Sequence, residues 1–225
     1  MNESLFFLHI LFVAAASLAA LRLGKTALVA LVALESVLAN VFVVKQTTLF
    51  GLHVTCSDVY IVGSLLSLNL LQEFFGKESA QRAIKISFFT MVVFVVMVKF
   101  HLHYAPSSFD ASQDAFQRIF THTLRIIVAS MFVYYVTQQI DVRFFGWLKS
   151  RFQERYLGLR IGLSLVLSQT IDTFLFSFVG LFGVVANLGE IIVMSLIVKC
   201  VAIACCAPFS MLSRKFTPPS LVEKQ

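Results

Sequence analysis

The chain has 225 residues, of which 58% are hydrophobic and only 13% charged, with a formal net charge of +6 and a mean hydropathy of +0.86. That balance excludes a soluble domain, which needs far more polar surface to stay in water. It also argues against nucleic acid as the partner of the positive charge, because most of the cations sit in short loops between apolar stretches, where they set membrane orientation.

Seven apolar stretches follow one another at 4–21, 26–45, 58–75, 84–104, 119–140, 161–183 and 189–211. About 20 apolar residues cross a bilayer at 1.5 Å rise per residue. The expected fold is therefore all-α, a polytopic membrane bundle of six to seven transmembrane helices. The first stretch ends in small residues from Ala14 to Ala20, as a cleaved signal peptide does. Glu3, and no Lys or Arg, precedes it, which favours a true span. We divide the chain into an additional N-terminal segment (1–25), a six-helix body (26–212) and a tail (213–225), with Pro218-Pro219 ending the last helix. The loops after the first, third, fifth and seventh stretches hold thirteen of the 18 Lys and Arg residues, against Lys45 and Arg118 on the opposite side. This bias places the N-terminus outside and the C-terminus in the cytoplasm.

Several spans carry polar residues deep in their apolar runs. An isolated charge near mid-membrane costs roughly 2.5–3.5 kcal/mol on the insertion scale, so such residues usually mark a pathway or a binding site. In the sixth stretch Ser164, Ser168, Gln169, Asp172 and Thr173 fall on one helical face. This stripe must look inward, either as interhelical hydrogen-bond glue or as a solute site, and the carboxylate favours the solute site. Lys199 lies near the middle of the antiparallel seventh stretch, at a depth that suits an ion pair with Asp172. Buried pairs are often neutral for stability, so a gate that opens when a substrate or proton arrives is the alternative to a purely structural pair.

The second stretch offers Glu35 near mid-depth and Asn40 five residues later, and the third carries Asp58 at its outer end. Near the inner end of the third, Asn69, Gln72, Glu73 and Gly76 share one face. Arg125, with His122, lies about a turn into the fifth stretch and either snorkels outward or joins a site.

Metal and catalytic signatures are missing. His101 and His103 point to different faces at i,i+2 spacing, so a metal-gathering vestibule with Asp110, Asp114 and His122 is disfavoured. Of the four cysteines, Cys56 stands apart from Cys200, Cys205 and Cys206, and no two pairs have zinc-type spacing. No HExxH, GxSxG or phosphate-cradling glycine loop occurs. No cofactor is expected, and a self-contained ATP-driven pump is excluded. A membrane-embedded enzyme acting on lipid through Asp172 and Lys199 lacks a nucleophile-plus-base motif.

Taken in order, the motifs are Leu38-Ala39-Asn40 through Lys45, Phe50-Gly51, Asp58, and Leu71-Gln72-Glu73-Phe74-Phe75-Gly76-Lys77. After them come Arg125 with Ser130, Gln139-Ile140-Asp141-Val142, Ser168-Gln169-Thr170-Ile171-Asp172-Thr173 with Phe176, and Lys199 with Pro208. This series resembles the queuosine-precursor transporter family, also called the vitamin-uptake-transporter family, from about residue 35 to 210. Two departures are Asn69, where the family usually has an acid, and the first apolar stretch, an addition to six spans.

The resemblance implies import of 7-cyano-7-deazaguanine, 7-aminomethyl-7-deazaguanine or queuine for tRNA modification, across a bacterial cytoplasmic membrane. The partners it implies are a small deazaguanine and membrane lipid. It further implies a substrate site drawn from Asp172, Glu73, Asn40, Asn69, Gln169, Phe176 and Arg125. A carboxylate can accept the two adjacent N–H donors of the base's 2-amino-4-oxo edge, and Asp172 or Glu73 fits that role. Phe176 would stack on the ring. Asp172 with Lys199 would form the gating pair, and Glu35 and Asp172 are the candidate proton carriers. A substrate-binding subunit that borrows an ATP-driven module is the alternative within transport.

Overall fold

The computed structural model describes residues 1–43, 45–120, 124–182 and 188–216. His122, Asn187, Pro218-Pro219 and Lys224 lie outside the described residues, as does the side chain of Arg125.

Long apolar runs with few helix breakers give long helices. They are α1 (Asn2–Leu23), α2 (Lys25–Phe42), α3 (Asp58–Phe75), α4 (Lys77–His103), α5 (Gln113–Phe120), α6 (Leu124–Arg151), α7 (Leu157–Phe176) and α8 (Leu188–Phe209). A π-helical turn, Ser177–Leu181, extends α7, and a 3-10 segment, Ser210–Phe216, follows Pro208 at the end of α8. Gly24 and Gly76 (φ 105° and 85°) each close one helix and start the next. Only glycine takes such angles without strain, so α1/α2 and α3/α4 form tight helical hairpins.

The all-α expectation needs one correction. Residues 46–55 form a small antiparallel hairpin, β1 (Gln46–Leu49) with β2 (Leu52–Thr55), closed by Phe50 and Gly51. The Thr- and Val-containing run suits strands better than helix, and Asn2 ties it to the start of α1 through Thr47 and the Thr48 carbonyl. The fifth expected span also shifts: α5 is a separate short helix, and α6 runs on to Arg151, so Arg143, Lys149 and Arg151 are helical rather than loop residues.

Among the described residues, five helices are long and apolar enough to cross a membrane: α1, α2, α4, α7 with its π turn, and α8. The helices α3 and α6 have the length, at 18 and 28 residues, but carry more polar groups. The reason lies in their position. Helix α3 packs against α1, α2, α4, α6, α7 and α8, so its polar side chains meet protein. Large apolar residues such as Phe12, Phe89, Phe100 and Phe132 are left facing outward, as lipid-facing helices require.

The α1–α2–α3 seam is closely packed. A Cβ on Gly63 would collide with the Val13 side chain and come within 2.7 Å of Glu35 Oε1. Ser17 Oγ and Ser67 Oγ lie 2.9 Å apart in the same seam. Gly63→Ala is therefore expected to destabilise the protein by about 1–3 kcal/mol through overpacking. Gly162→Ala, where the new Cβ would meet Ala207 at an ordinary 3.6 Å, should be close to neutral. Apparent melting temperatures in detergent compare the two.

Candidate functional site

Toward the hairpin end of the bundle, α2, α3, α6, α7, α8 and β2 enclose a cavity of about 160 Å³. A dry cavity on the order of 150 Å³ accepts benzene, so this one is on the scale of a small ring. Asp58, Asp172, Lys199, Asn40, Tyr134 and Phe176 are in its wall.

Lys199 organises the charges. Its Nζ donates to Asp172 Oδ2 at 2.8 Å and to Thr173 Oγ1 at 3.0 Å, and it lies 3.9 Å from Asp58 Oδ1. The pair expected from sequence thus forms, and a second acid joins it. Asp58 stands in the first turn of α3, where a helix N-terminus favours a carboxylate. Both Asp58 and Lys199 are buried, whereas Asp172 keeps partial access from the cavity. With all three ionised, the described wall carries one net negative charge. A site of that sign suits a solute bearing a cationic group, whose ammonium would replace Lys199 as partner to one of the acids.

The neutral part of the wall is a hydroxyl and amide network. Asn40 donates to the Ser36 carbonyl at 2.9 Å and accepts from Ser130 Oγ at 2.8 Å. The Tyr134 hydroxyl sits between Ser36 and Ser87, at 2.7 and 2.6 Å. Gln138 Nε2 donates to Ser64 Oγ at 3.4 Å, which leads out of the cavity into the bundle.

Beyond the cavity, away from the hairpin, α3, α6 and α7 bury a second polar layer. Ser164 and Ser168 both donate to Asp141 Oδ1, at 2.6 and 2.7 Å. Of the α7 stripe, Ser164, Ser168, Gln169 and Thr173 are buried, and its serines serve a carboxylate on α6. Around this contact, eight side-chain atoms of Asn69, Gln72, Thr137, Gln138, Asp141 and Gln169 are buried without a hydrogen-bond partner among the described residues. Each costs about 1–3 kcal/mol when left unpaired. The sequence reading passed over Asp141 as a site residue. Its signal was present: Tyr134, Thr137, Gln138 and Asp141 recur at i, i+3, i+4 and i+7, an inward polar stripe on α6 matching the one on α7.

At the far end of the bundle the path closes on ions. Arg160 donates bidentately to Glu73, at 2.9 and 2.8 Å, and also to the carbonyls of Arg155 and Glu154. Its guanidinium lies 5.4 Å from the centre of the Phe145 ring. Lys149 adds a bond of 3.1 Å to the Glu73 carbonyl. Arg160, counted from sequence as a loop cation, is fully buried, because α7 starts at Leu157 and draws it into the first turn.

The sequence-predicted residues therefore separate. Asn40, Asp172, Phe176 and Lys199 meet at the cavity. Asn69 and Gln169 belong to the inner layer. Glu73 is held by Arg160 and stands apart from both. Glu35 is buried in the α1–α2–α3 seam, where Ser67 Oγ donates to it at a long 3.5 Å. The backbone of Arg125 lies near the start of α6. Among the described residues, no three His, Cys, Asp or Glu side chains gather as metal ligands.

The family model described as "Putative vitamin uptake transporter" matches residues 55–213. A relative from Bacillus subtilis (strain 168), named "Probable queuosine precursor transporter", is 32% identical over 162 residues, covering 72% of this chain and 71% of the relative. No solved structure matches the chain.

Proposed function

Because the chain belongs to the vitamin uptake transporter family and is a multi-pass membrane transporter, we propose that it imports queuosine precursors or queuine across a bacterial cytoplasmic membrane. The observation that carries this reading is the ring-sized cavity whose wall holds two acids around one lysine. The relative's name supplies the substrate class. In this reading α1–α4 and α6–α8 are seven spans, the hairpin end faces outside and the Glu73–Arg160 end faces the cytoplasm. That orientation agrees with the distribution of Lys and Arg along the sequence.

The substrate enters from the hairpin end and stacks against Phe176. A cationic side arm competes with Lys199 for Asp58 and Asp172, releasing the lysine from the bond that ties α8 to α7. Binding energy is thereby coupled to a change in helix packing, which alternating access around a midplane site requires. The aminomethyl precursor and queuine carry an amine, whereas the cyano precursor does not, so the first two should bind better. Glu35, buried with a single long hydrogen bond among the described residues, is the candidate proton carrier alongside Asp172.

The test is uptake of labelled queuine, with the two biosynthetic precursors as competitors, in cells lacking their own importer and synthesis. Asp172→Asn is expected to lower uptake at least tenfold, which corresponds to about 1.4 kcal/mol. Absence of uptake for all three compounds, despite confirmed membrane expression, would overturn the proposal. Uptake by the purified protein alone in proteoliposomes separates it from a subunit that needs an ATP-driven partner.

A further inference from the structure

The acids inside the bundle differ in what they have left to offer a ligand. Asp58 and Asp172 face Lys199, and Glu73 is taken bidentately by Arg160. Glu35 is pressed against Gly63 in a seam with no room for a ligand. Asp141, like Glu35, has no cation within ion-pair distance among the described residues, but it faces several polar side chains. One of its oxygens is oriented by two serine hydroxyls, and the other makes no hydrogen bond of good geometry among the described residues.

Its surroundings are specific as well. Asn69 and Gln169 are 0% and 1% exposed; Asn69 lies beside the Asp141 carboxylate, and among the described residues neither end of either carboxamide makes a hydrogen bond of good geometry. A site that only stored a proton would need the carboxylate and nothing more. Two carboxamides with unused hydrogen-bonding capacity beside a carboxylate instead offer donors and acceptors together, which complements a planar heterocycle carrying an amine beside an oxo group. Gln169 lies three residues from Asp172 along α7, a step of about 5 Å along the axis. Gln138 bridges the two regions by its bond to Ser64 in the cavity wall.

We infer that Asp141, with Asn69 and Gln169, forms an inner station that takes the 2-amino-4-oxo edge of the transported base after it leaves the outer cavity. This rests on the import reading above, and it moves recognition of the base from Asp172 and Glu73 to Asp141. The outer cavity then selects for the cationic arm, and the inner station for the heterocycle. Asp141 Oδ2 accepts an N–H of the base, and a carboxamide NH2 donates to its oxo group. Opening the layer requires α7 to shift against α3 and α6.

The experiment measures binding of 7-deazaguanine and of 7-deazahypoxanthine, which lacks the 2-amino group, to the purified full-length protein. Wild type is expected to prefer the 2-amino compound at least tenfold. Asp141→Asn should remove that preference, mainly by weakening the 2-amino compound. A swap variant, Asn69→Asp with Asp141→Asn, keeps one acid and two carboxamides among the three positions and should regain part of the preference. It also serves if the single variant does not fold.

An undiminished preference in Asp141→Asn would overturn the inner station while leaving import intact. Equal weakening of both compounds, with no recovery in the swap, would overturn it too. If wild type binds neither compound and transports no deazaguanine, the import reading falls, and the inner station with it.

Discussion

Lys199→Met is expected to abolish uptake and to lower stability by about 3–5 kcal/mol, the usual cost of stripping one partner from a buried ion pair. The reason is geometric. Lys199 Nζ is 2.8 Å from Asp172 and 3.9 Å from Asp58, so its removal leaves two acids sharing a pocket without a cation. Asp58 and Lys199 are only 4% and 3% exposed, so water does little to screen the repulsion that results. Adding Asp172→Asn to Lys199→Met removes one of the two acids and should recover much of the lost stability. Uptake should stay absent, because the exchange of lysine for the substrate's cation has no counterpart in the double variant. Melting temperature and uptake measured on both variants make the distinction. Normal uptake in Lys199→Met would show that the ion cluster is architectural only.

The second large effect is expected at Arg160. Arg160→Met should destabilise the protein by about 3–5 kcal/mol, enough to lose most of the folded material. It removes the bidentate partner of Glu73 and leaves only Lys149, at 3.5 Å, as its cation. It also frees the carbonyls of Glu154 and Arg155 in the turn between α6 and α7. That turn holds Gln153, Glu154 and Tyr156 at positive φ, between 50° and 62°, a conformation that costs non-glycine residues energy and persists only where surrounding contacts over-determine it. The double variant Glu73→Met with Arg160→Met removes the under-compensated charge. It should regain only part of the loss, because the two carbonyls remain unbonded. Yield and melting temperature of the two variants test this. A full recovery would mean that the charge pair, and not the strained turn, is what Arg160 serves.

These two clusters show where sequence reading ends. The polar face of α7 could be read directly, since Ser164, Ser168, Gln169, Asp172 and Thr173 recur with helical period. The Asp172–Lys199 pair could be reached because a short loop makes α7 and α8 antiparallel neighbours at similar depth. Asp58 as the third member could not, because it comes from α3, more than a hundred residues earlier. Glu73 was open to a ligand role from sequence alone because its partner, Arg160, is 87 residues away and resembles its loop neighbours in composition.

Composition and periodicity alone determined that this is a membrane-embedded helical protein, which of its stretches are apolar enough to span, and which helix faces are polar. Those properties follow from solvent: lipid tolerates no unpaired backbone and few charges, so every span must be a helix with its polar face turned inward. Which inward faces meet was decided only by tertiary structure. Placing α3 at the centre joins Asp58 to Lys199 and sets Asn69 in the buried layer with Asp141, and it also gives Glu73 to Arg160. A helix's own sequence specifies the direction of its polar stripe but holds no information about the helix that will lie across from it, and hydrogen bonds and ion pairs belong to that second relation.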